Sequence, residues 1–532
     1  MSFTRLAPLA VLAFVAACND ASAPHTMDAA SIRTGRAASV VAGQTMYSER
    51  FTRGRGAPET IERQVSTAGF VAPFTLHVRN GDASGANRVS SAMVAVDGVT
   101  LLDQSAFNQN AAEWSFPLEL GATASLKVTL AGAPGGHLDI SIEGVVGTHF
   151  CSAPGTDASD DMRAALEGTP AGGTIFVCDG THTVQEVVID KPITIRSANP
   201  GGATLSDRED NDGFQFAPPV FLVVGVESGV VRFADIGFSL NGRGVVAQRD
   251  YHVVEIDSAR FTGRDTVESI GVMTWTQPAP GARVEVTNST FEGLGIAVFA
   301  VGPVETNVRS STFDRTQNGP ITYSSQWPWG SATDNVMTNC RNGGCIRVFS
   351  VGAPGLVFAR NRIESTSYAV PLGAIRLGPS PNNAQGPITV EDNVIVSRVV
   401  GDMSFQNGWG FPAGVDILAQ QHAQNAITIR RNRITQAYSG VTSVLKATLT
   451  DNVIEQGVIA FRQNSANPLT VHRNDFIGLA QSFTAPASAG DYQCNWWGRA
   501  SGPFSPPPAV PASAYTPWAT EPIAGTTLAC SP

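Results

Sequence analysis

Along the C-terminal two thirds of the chain one six-residue phrase keeps returning, apolar at its first and last positions and mostly polar between. It reads Val286-Thr-Asn-Ser-Thr-Phe291, Val308-Arg-Ser-Ser-Thr-Phe313, Ala332-Thr-Asp-Asn-Val-Met337 and Phe358-Ala-Arg-Asn-Arg-Ile363. It continues as Val390-Glu-Asp-Asn-Val-Ile395, Ile429-Arg-Arg-Asn-Arg-Ile434, Leu449-Thr-Asp-Asn-Val-Ile454 and Val471-His-Arg-Asn-Asp-Phe476. Looser copies run from Phe233 to Phe238 and from Ile256 to Phe261. Most copies lie 20 to 26 residues apart, the spacing of a solenoid in which each repeat buries its apolar side on its neighbours. A second frame sits between the copies: a small residue or other corner, then apolar, any, apolar. Examples are Cys345-Ile-Arg-Val, Ala374-Ile-Arg-Leu and Gly414-Val-Asp-Ile. Two strand frames per turn with corners between them predict stacked parallel strands.

The fourth position of the first frame holds Asn335, Asn361, Asn393, Asn432, Asn452 and Asn474. In a stacked coil these superpose at a tight corner. Asparagine tolerates left-handed backbone, and its amide can bond to equivalents above and below. The stretch "ITIRRNRITQ" is therefore one rung with solvated arginines beside it, not a basic patch for nucleic acid.

Elsewhere the pattern changes. Short alternating stretches such as "FTLHV", "SLKVTL" and "HLDISI", with Asp97-Gly98 as a hairpin turn, predict a small antiparallel β-sandwich over 41–147. Its layout is similar to accessory modules of secreted bacterial proteins that bind carbohydrate, and a structural spacer fits as well. "DDMRAALEGTP" (Asp160 to Pro170) is the one convincing helical segment. The expected organisation is a leader over 1–17, a flexible tether over 18–40, the sandwich, a β-helix with an N-terminal cap helix over 148–503, and a Pro-rich tail over 504–532.

The repeats and the opening phrase "GGTIFVCDGTHTVQEVVIDKPITIRS" resemble right-handed parallel β-helix proteins of the pectin-lyase-like superfamily, over roughly Gly172 to Ile477. "NWWGRASGP" (Asn495 to Pro503) is similar to the phrase that closes the last coil of many bacterial members. The expectation is an all-β chain: a right-handed parallel β-helix preceded by a small antiparallel sandwich. The superfamily holds lyases, hydrolases, esterases, epimerases and adhesins, so the resemblance alone assigns no activity. The motifs it implies for polygalacturonases (Gly-His-Gly, Arg-Ile-Lys), pectate lyases (Trp-x-Asp-His) and pectin methylesterases (Leu-Gly-Arg-Pro-Trp) are absent from the sequence.

The N-terminus bears on location. Arg5 precedes an apolar run from Leu6 to Ala17 that is too short to span a bilayer and has the shape of a secretory leader. Val15-Ala16-Ala17-Cys18 looks like a bacterial lipobox, which makes Cys18 the expected lipidation site. An ordinary signal peptide is the alternative. Either way the protein is expected to be exported: lipid-anchored in the bacterial cell envelope, on the outer membrane or cell surface, or secreted if the lipobox is not used. In an oxidising compartment the six other cysteines suggest disulfides. Proximity favours Cys151–Cys178, Cys340–Cys345 and Cys494–Cys530, with other pairings left open.

The chain has 532 residues, 42% of them hydrophobic and 15% charged, as befits a large globular core. Its net charge of −10 speaks against nucleic acid and against binding anionic membranes except through the lipid. No cysteine or histidine spacing suits zinc or copper, and no metal or cofactor is expected. Calcium has one weak candidate: "SDREDNDGF", with Asp207, Glu209, Asp210 and Asp212, misses EF-hand spacing and reads as a solvated loop.

The outward position of the second frame stacks Met273, Ala297, Thr322, Arg347, Arg376, Asp416, Thr442 and Ile459. Arg347, Arg376 and Asp416 are the candidate catalytic group. Trp275, Phe299 and Phe349 form a partial aromatic column beside them. Two long insertions bring Tyr323, Trp327 and Trp329, and Phe405, Trp409 and Phe411. The glycan-binding candidates are Trp275, Tyr323, Trp327, Trp329 and Trp409. Arginines that grip carboxylates, beside aromatic platforms, suit an acidic polysaccharide. In a β-eliminating lyase, Arg347 or Arg376 would act on the uronate, with Asp416 orienting it or holding calcium. A surface ion-pair ladder is the plainer alternative. Two functions follow as expectations: an exported module that binds polysaccharide or a cell-surface glycan without catalysis, or a divergent polysaccharide lyase or glycoside hydrolase.

Overall fold

The structure, a computed structural model, describes residues 43–107, 112–121, 123–208, 218–265, 269–275, 278–341, 344–367, 373–378, 386–399, 413–417, 426–443, 446–464, 467, 469–486 and 490–523. Cys18, Trp409 and Cys530, with the expected leader and tether, lie outside these residues. Residues Gly43–Pro532 form one compact unit.

From Thr174 the chain is a right-handed parallel β-helix whose coils each contribute one strand to three parallel sheets. The first sheet runs from Thr174–Val177 to Leu469–His472, the second from Gly180–Thr183 to Asp475–Ile477, the third from Val187–Ile189 to Gln481–Thr484. Residues stack in register along the axis because each coil places the same side chain type at the same point. Phe238, Phe261, Phe291 and Phe313 stack face to face at centroid distances of 4.5, 4.8 and 4.9 Å. The row continues inside the second sheet through Met337, Ile363, Ile395 and Ile434, all fully buried. Each such side chain contributes about 1.5–3 kcal/mol through burial.

The corner between the first and second sheets is two residues wide in these coils. Its left-handed residue is the one before the asparagine: Asp334, Arg360, Asp392, Arg431, Asp451 and Arg473 have φ of +54° to +59°. The expectation that asparagine itself takes that conformation is corrected here. The left-handed residue turns outward into solvent, and the asparagine turns inward. Each buried asparagine donates its amide and its backbone N–H to the side-chain oxygen of the next. For the side-chain amides this runs Asn335 to Asn361 at 3.0 Å, Asn361 to Asn393 at 2.9 Å, Asn393 to Asn432 at 2.9 Å and Asn432 to Asn452 at 3.0 Å. The run passes through Asn474 and ends at Asn495. Outside it, carboxylates and guanidinium groups of adjacent coils pair: Arg360 with Asp334, Arg431 with Asp392 and Arg473 with Asp451.

Two antiparallel sheets precede the coils. One is ordered Gln44–Thr52, His137–Phe150, Phe70–Asn80, Glu113–Leu118; the other is Glu59–Ser66, Thr123–Leu130, Ala92–Val96, Val99–Leu102. They enclose Leu76, Val94, Leu126, Val128 and Ile142. The Asp97-Gly98 turn has φ of +49° and +80°, the positive values a two-residue hairpin needs. Strand His137–Phe150 belongs to both regions, pairing antiparallel with Phe70–Asn80 and parallel with Thr174–Val177. The expected boundary at residue 147 falls inside it.

Both ends of the helical core are plugged. Helix Ser159–Gly168 buries Met162, Ala165 and Leu166 at one end. At the other, Trp497 is buried among Phe476, Phe483 and Phe461 at 4.9, 5.4 and 6.4 Å. Disulfides join Cys151 to Cys178 and Cys340 to Cys345.

Candidate functional site

The third sheet carries the candidate chemistry on its outer face. Strand pairing places Met273, Phe299, Thr322, Arg347, Arg376, Asp416, Thr442 and Arg462 in one row across successive coils. Adjacent members stand about 4.8 Å apart. Two expected members are replaced: Phe299 takes the place of Ala297, and Arg462 that of Ile459. In these strands the small residue that turns inward is Ala297 or Ala460, both fully buried, and not the glycine that precedes it in sequence. Counting from Gly295 or Gly457 therefore stops short of the outward position. Arg462 was the residue missed, and the signal for it was the Ala460-Phe461-Arg462 order.

Arg347 donates from Nη1 to the Asn318 carbonyl at 2.7 Å and lies 4.9 Å over the Phe349 ring. Gly319, at φ +91°, leaves the space its stem occupies. Burial, with the like charge of Arg376 added, pulls its pKa down to about 10. Arg376 follows in the next coil, partly exposed. No nitrogen of either arginine lies within 4.0 Å of a carboxylate of any described residue.

Asp416 comes next in the row, only 2% exposed and stacked over Gly373, where a Cβ would clash with it at 2.5 Å. Its Oδ1 has no hydrogen-bond partner among the described residues. Removal from water pushes its carboxyl up to about 7, although Arg376, Arg462 and the Gly373 N–H favour the charged form. A carboxyl poised near neutrality beside guanidinium groups can hold or take a proton at working pH. The ion-pair ladder given as the plainer alternative is not formed in this row among the described residues. Arg376 and Asp416 are neighbours in register, with no guanidinium nitrogen within 4.0 Å of the carboxylate.

The aromatic candidates separate. Tyr323 is fully buried, its hydroxyl donating towards the Thr306 and Ser331 carbonyls at 3.1 and 3.2 Å. It is a core residue with no face free for a sugar, which corrects its place among the glycan candidates. Trp329 lies in the first sheet, paired with Glu305, away from the row. Trp275 packs on an apolar patch with Val246, Ile270 and Met273. Trp327 is 40% exposed and its N–H is held by the Ser350 hydroxyl at 2.9 Å, one residue beyond Phe349. Phe349 pairs through its backbone with Tyr323. Gln326 and Trp327 have φ of +65° and +63°, a strained pair of the kind found at binding sites.

Among the described residues no cluster of histidine, cysteine or carboxylates is arranged to hold a metal ion. Asp207, from the weak calcium candidate, is buried, and its carboxylate accepts from the Asn241 and Gly242 N–H groups at 2.6–3.0 Å. Those donors make it a structural anchor. Glu209, Asp210 and Asp212 lie outside the described residues.

No protein-family model and no curated protein matches the chain. Among solved structures, it is similar to the catalytic unit of a thermostable GH87 α-1,3-glucanase from Streptomyces thermodiastaticus. That match has 10% identity, a TM-score of 0.49, and coverage of 86% of this chain and 96% of the other. A family 28 exopolygalacturonase from Yersinia enterocolitica overlays at 11% identity and TM-score 0.38, covering 82% and 100%. The A-module of a mannuronan C-5 epimerase from Azotobacter vinelandii overlays at 12% identity and TM-score 0.27, covering 62% and 92%. All are likenesses of architecture, and none transfers a residue or an activity to this chain.

Proposed function

We propose that this chain is an exported, Cys18-anchored protein of the bacterial cell envelope that binds an acidic polysaccharide along the outer face of its third sheet. The reading rests on one observation: Arg347 and Arg376 stand in register on adjacent coils without a carboxylate partner among the described residues. Such a pair of forks matches carboxylates carried on a chain laid along the coil axis. Phe349 and Trp327 supply apolar faces for sugar rings nearby.

A second reading, a polysaccharide lyase, is favoured by Asp416. A carboxyl near neutrality beside a guanidinium suits removal of the proton alpha to a uronate carboxylate. The electron pair left behind forms the ring double bond as the glycosidic oxygen leaves. Hydrolysis needs two carboxyl groups across the bond, and Asp416 is the one carboxylate of the row among the described residues.

The test uses residues 19–532 with polygalacturonate, alginate and other acidic glycans, following retention, unsaturated ends and new reducing ends. Binding without cleavage, lost in the Arg347→Met/Arg376→Met double variant, is the expected result. Unsaturated ends lost in Asp416→Asn would establish the lyase. Reducing ends alone would point to a hydrolase, and no retention on any acidic glycan would remove the binding reading.

A further inference from the structure

A second polar surface is built by different strands. The outer face of the sheet made by Gln44–Thr52, His137–Phe150, Phe70–Asn80 and Glu113–Leu118 holds a groove of about 600 Å³. Register explains its shape. Ser48, Ser141, His77 and Ser115 lie in one row across all four strands. The next row is Arg50, Asp139, Arg79 and Glu113. Three serines and an imidazole form a low floor about 14 Å long, three strand spacings, and the long charged side chains form a wall. Leu76, Val78, Ile140 and Ile142 alternate with these positions and are buried beneath.

The wall is fixed in place. Arg50 donates to Asp139 at 2.6 and 3.0 Å, and Arg79 does so at 2.7 Å. The Arg50 contact, with Arg79 adding to it, holds the Asp139 carboxyl down to about 2, so the cluster stays ionised at physiological pH. On the floor, His77 Nδ1 lies 2.9 Å from the Ser115 hydroxyl, and Nε2 lies 3.6 Å from Glu143 in the row opposite.

The lining selects its ligand by chemistry. Hydroxyls and imidazole both donate and accept, which suits a chain of hydroxyl groups. The apolar lining residues Val78, Trp114 and Ile140 turn to the core on the other face of the sheet, and the central strands pair on both sides, so an extended peptide finds neither side-chain pockets nor free backbone within the groove. In the lining Arg50 and Arg79 stand among Glu49, Asp139 and Glu113, with Glu143 beside His77, so carboxylates outnumber guanidinium groups, which disfavours polyanions. We infer that this groove is a second binding site, taking a short neutral oligosaccharide laid across the four strands.

The test is affinity electrophoresis of residues 19–532 in gels containing soluble neutral glucans, mannans and xylans. At least one should retard the chain. Ser141→Leu, which raises the floor at its centre, should weaken retardation about tenfold or more, and Ser115→Leu at the exposed end should act in the same direction. Arg347→Met/Arg376→Met should leave it unchanged. Unaltered unfolding midpoints for the serine variants would show that the fold is intact. No retardation by any neutral glycan would overturn the inference. So would retardation that survives both serine substitutions, or that is lost with the arginine pair instead.

Discussion

The corner between the first and second sheets and the outer face of the third sheet are built from the same residue types and use them in opposite ways. At the corner, arginines and carboxylates of neighbouring coils alternate and pair: Arg431 reaches both Asp392 and Glu391 at 2.8 Å, and the asparagines beneath satisfy one another. On the third sheet, two arginines follow one another without a carboxylate partner among the described residues, and the carboxylate in the next coil is buried with one oxygen unpartnered among them. Stability accounts for the first arrangement. It does not account for the second, because like charges in register and a buried lone carboxylate both cost free energy. Binding of an acidic glycan, as proposed, would offset that cost.

One large test of this contrast is inside the corner. Asn393→Ala removes the oxygen that accepts both the amide and the backbone N–H of Asn361, at 2.9 Å each. Leaving those buried donors unmet should cost about 3 kcal/mol, read as a lowered urea midpoint, without loss of glycan binding at the third sheet. Next is Asp416→Asn. Folding raises this carboxyl from the ordinary 3.8 to about 7, so the unfolded chain releases a proton that the folded chain retains. The penalty is absent below about pH 4, grows as pH rises towards 7 and is complete above it, reaching about 4 kcal/mol. The variant should therefore unfold at a higher midpoint than the parent at pH 8 and at the same midpoint near pH 4. A pH-independent difference would place Asp416 in a hydrated setting instead. The smallest effect separates the two faces directly. Arg431→Ala should lower stability by about 1 kcal/mol or less, whereas Arg376→Ala should leave it unchanged or raise it, measured by the same unfolding curves.

The repeat and the ladder were legible because stacking forces the same residue type to the same point in every coil, and Asn335 to Asn474 carry that signature unaided. The left-handed residue was harder to place. At that outward point aspartate, arginine and, before Asn495, cysteine all occur, so identity gives no signal and only backbone geometry does. The register of the third sheet was partly legible. The frames at Cys345, Ala374 and Gly414 put Arg347, Arg376 and Asp416 in one row, while those at Gly295 and Gly457 miscounted. A corner glycine and an inward alanine look alike in sequence. The sequence showed Tyr323 as an aromatic in an insertion-rich segment, with no sign that two backbone carbonyls wait for its hydroxyl inside. The groove of the N-terminal sheet had no motif at all: serines there matter only because four strands bring them into line.

Strand His137–Phe150 is shared by the antiparallel sheet and the first sheet of the coils, and so no swivel separates the two. Bending one region against the other would break main-chain hydrogen bonds on one side of that strand. The groove across the N-terminal sheet and the arginine row along the coils are therefore held at a set distance and angle. Sugar chains held at the two proposed sites at once would be splayed in a fixed direction, as by the two jaws of a bracket.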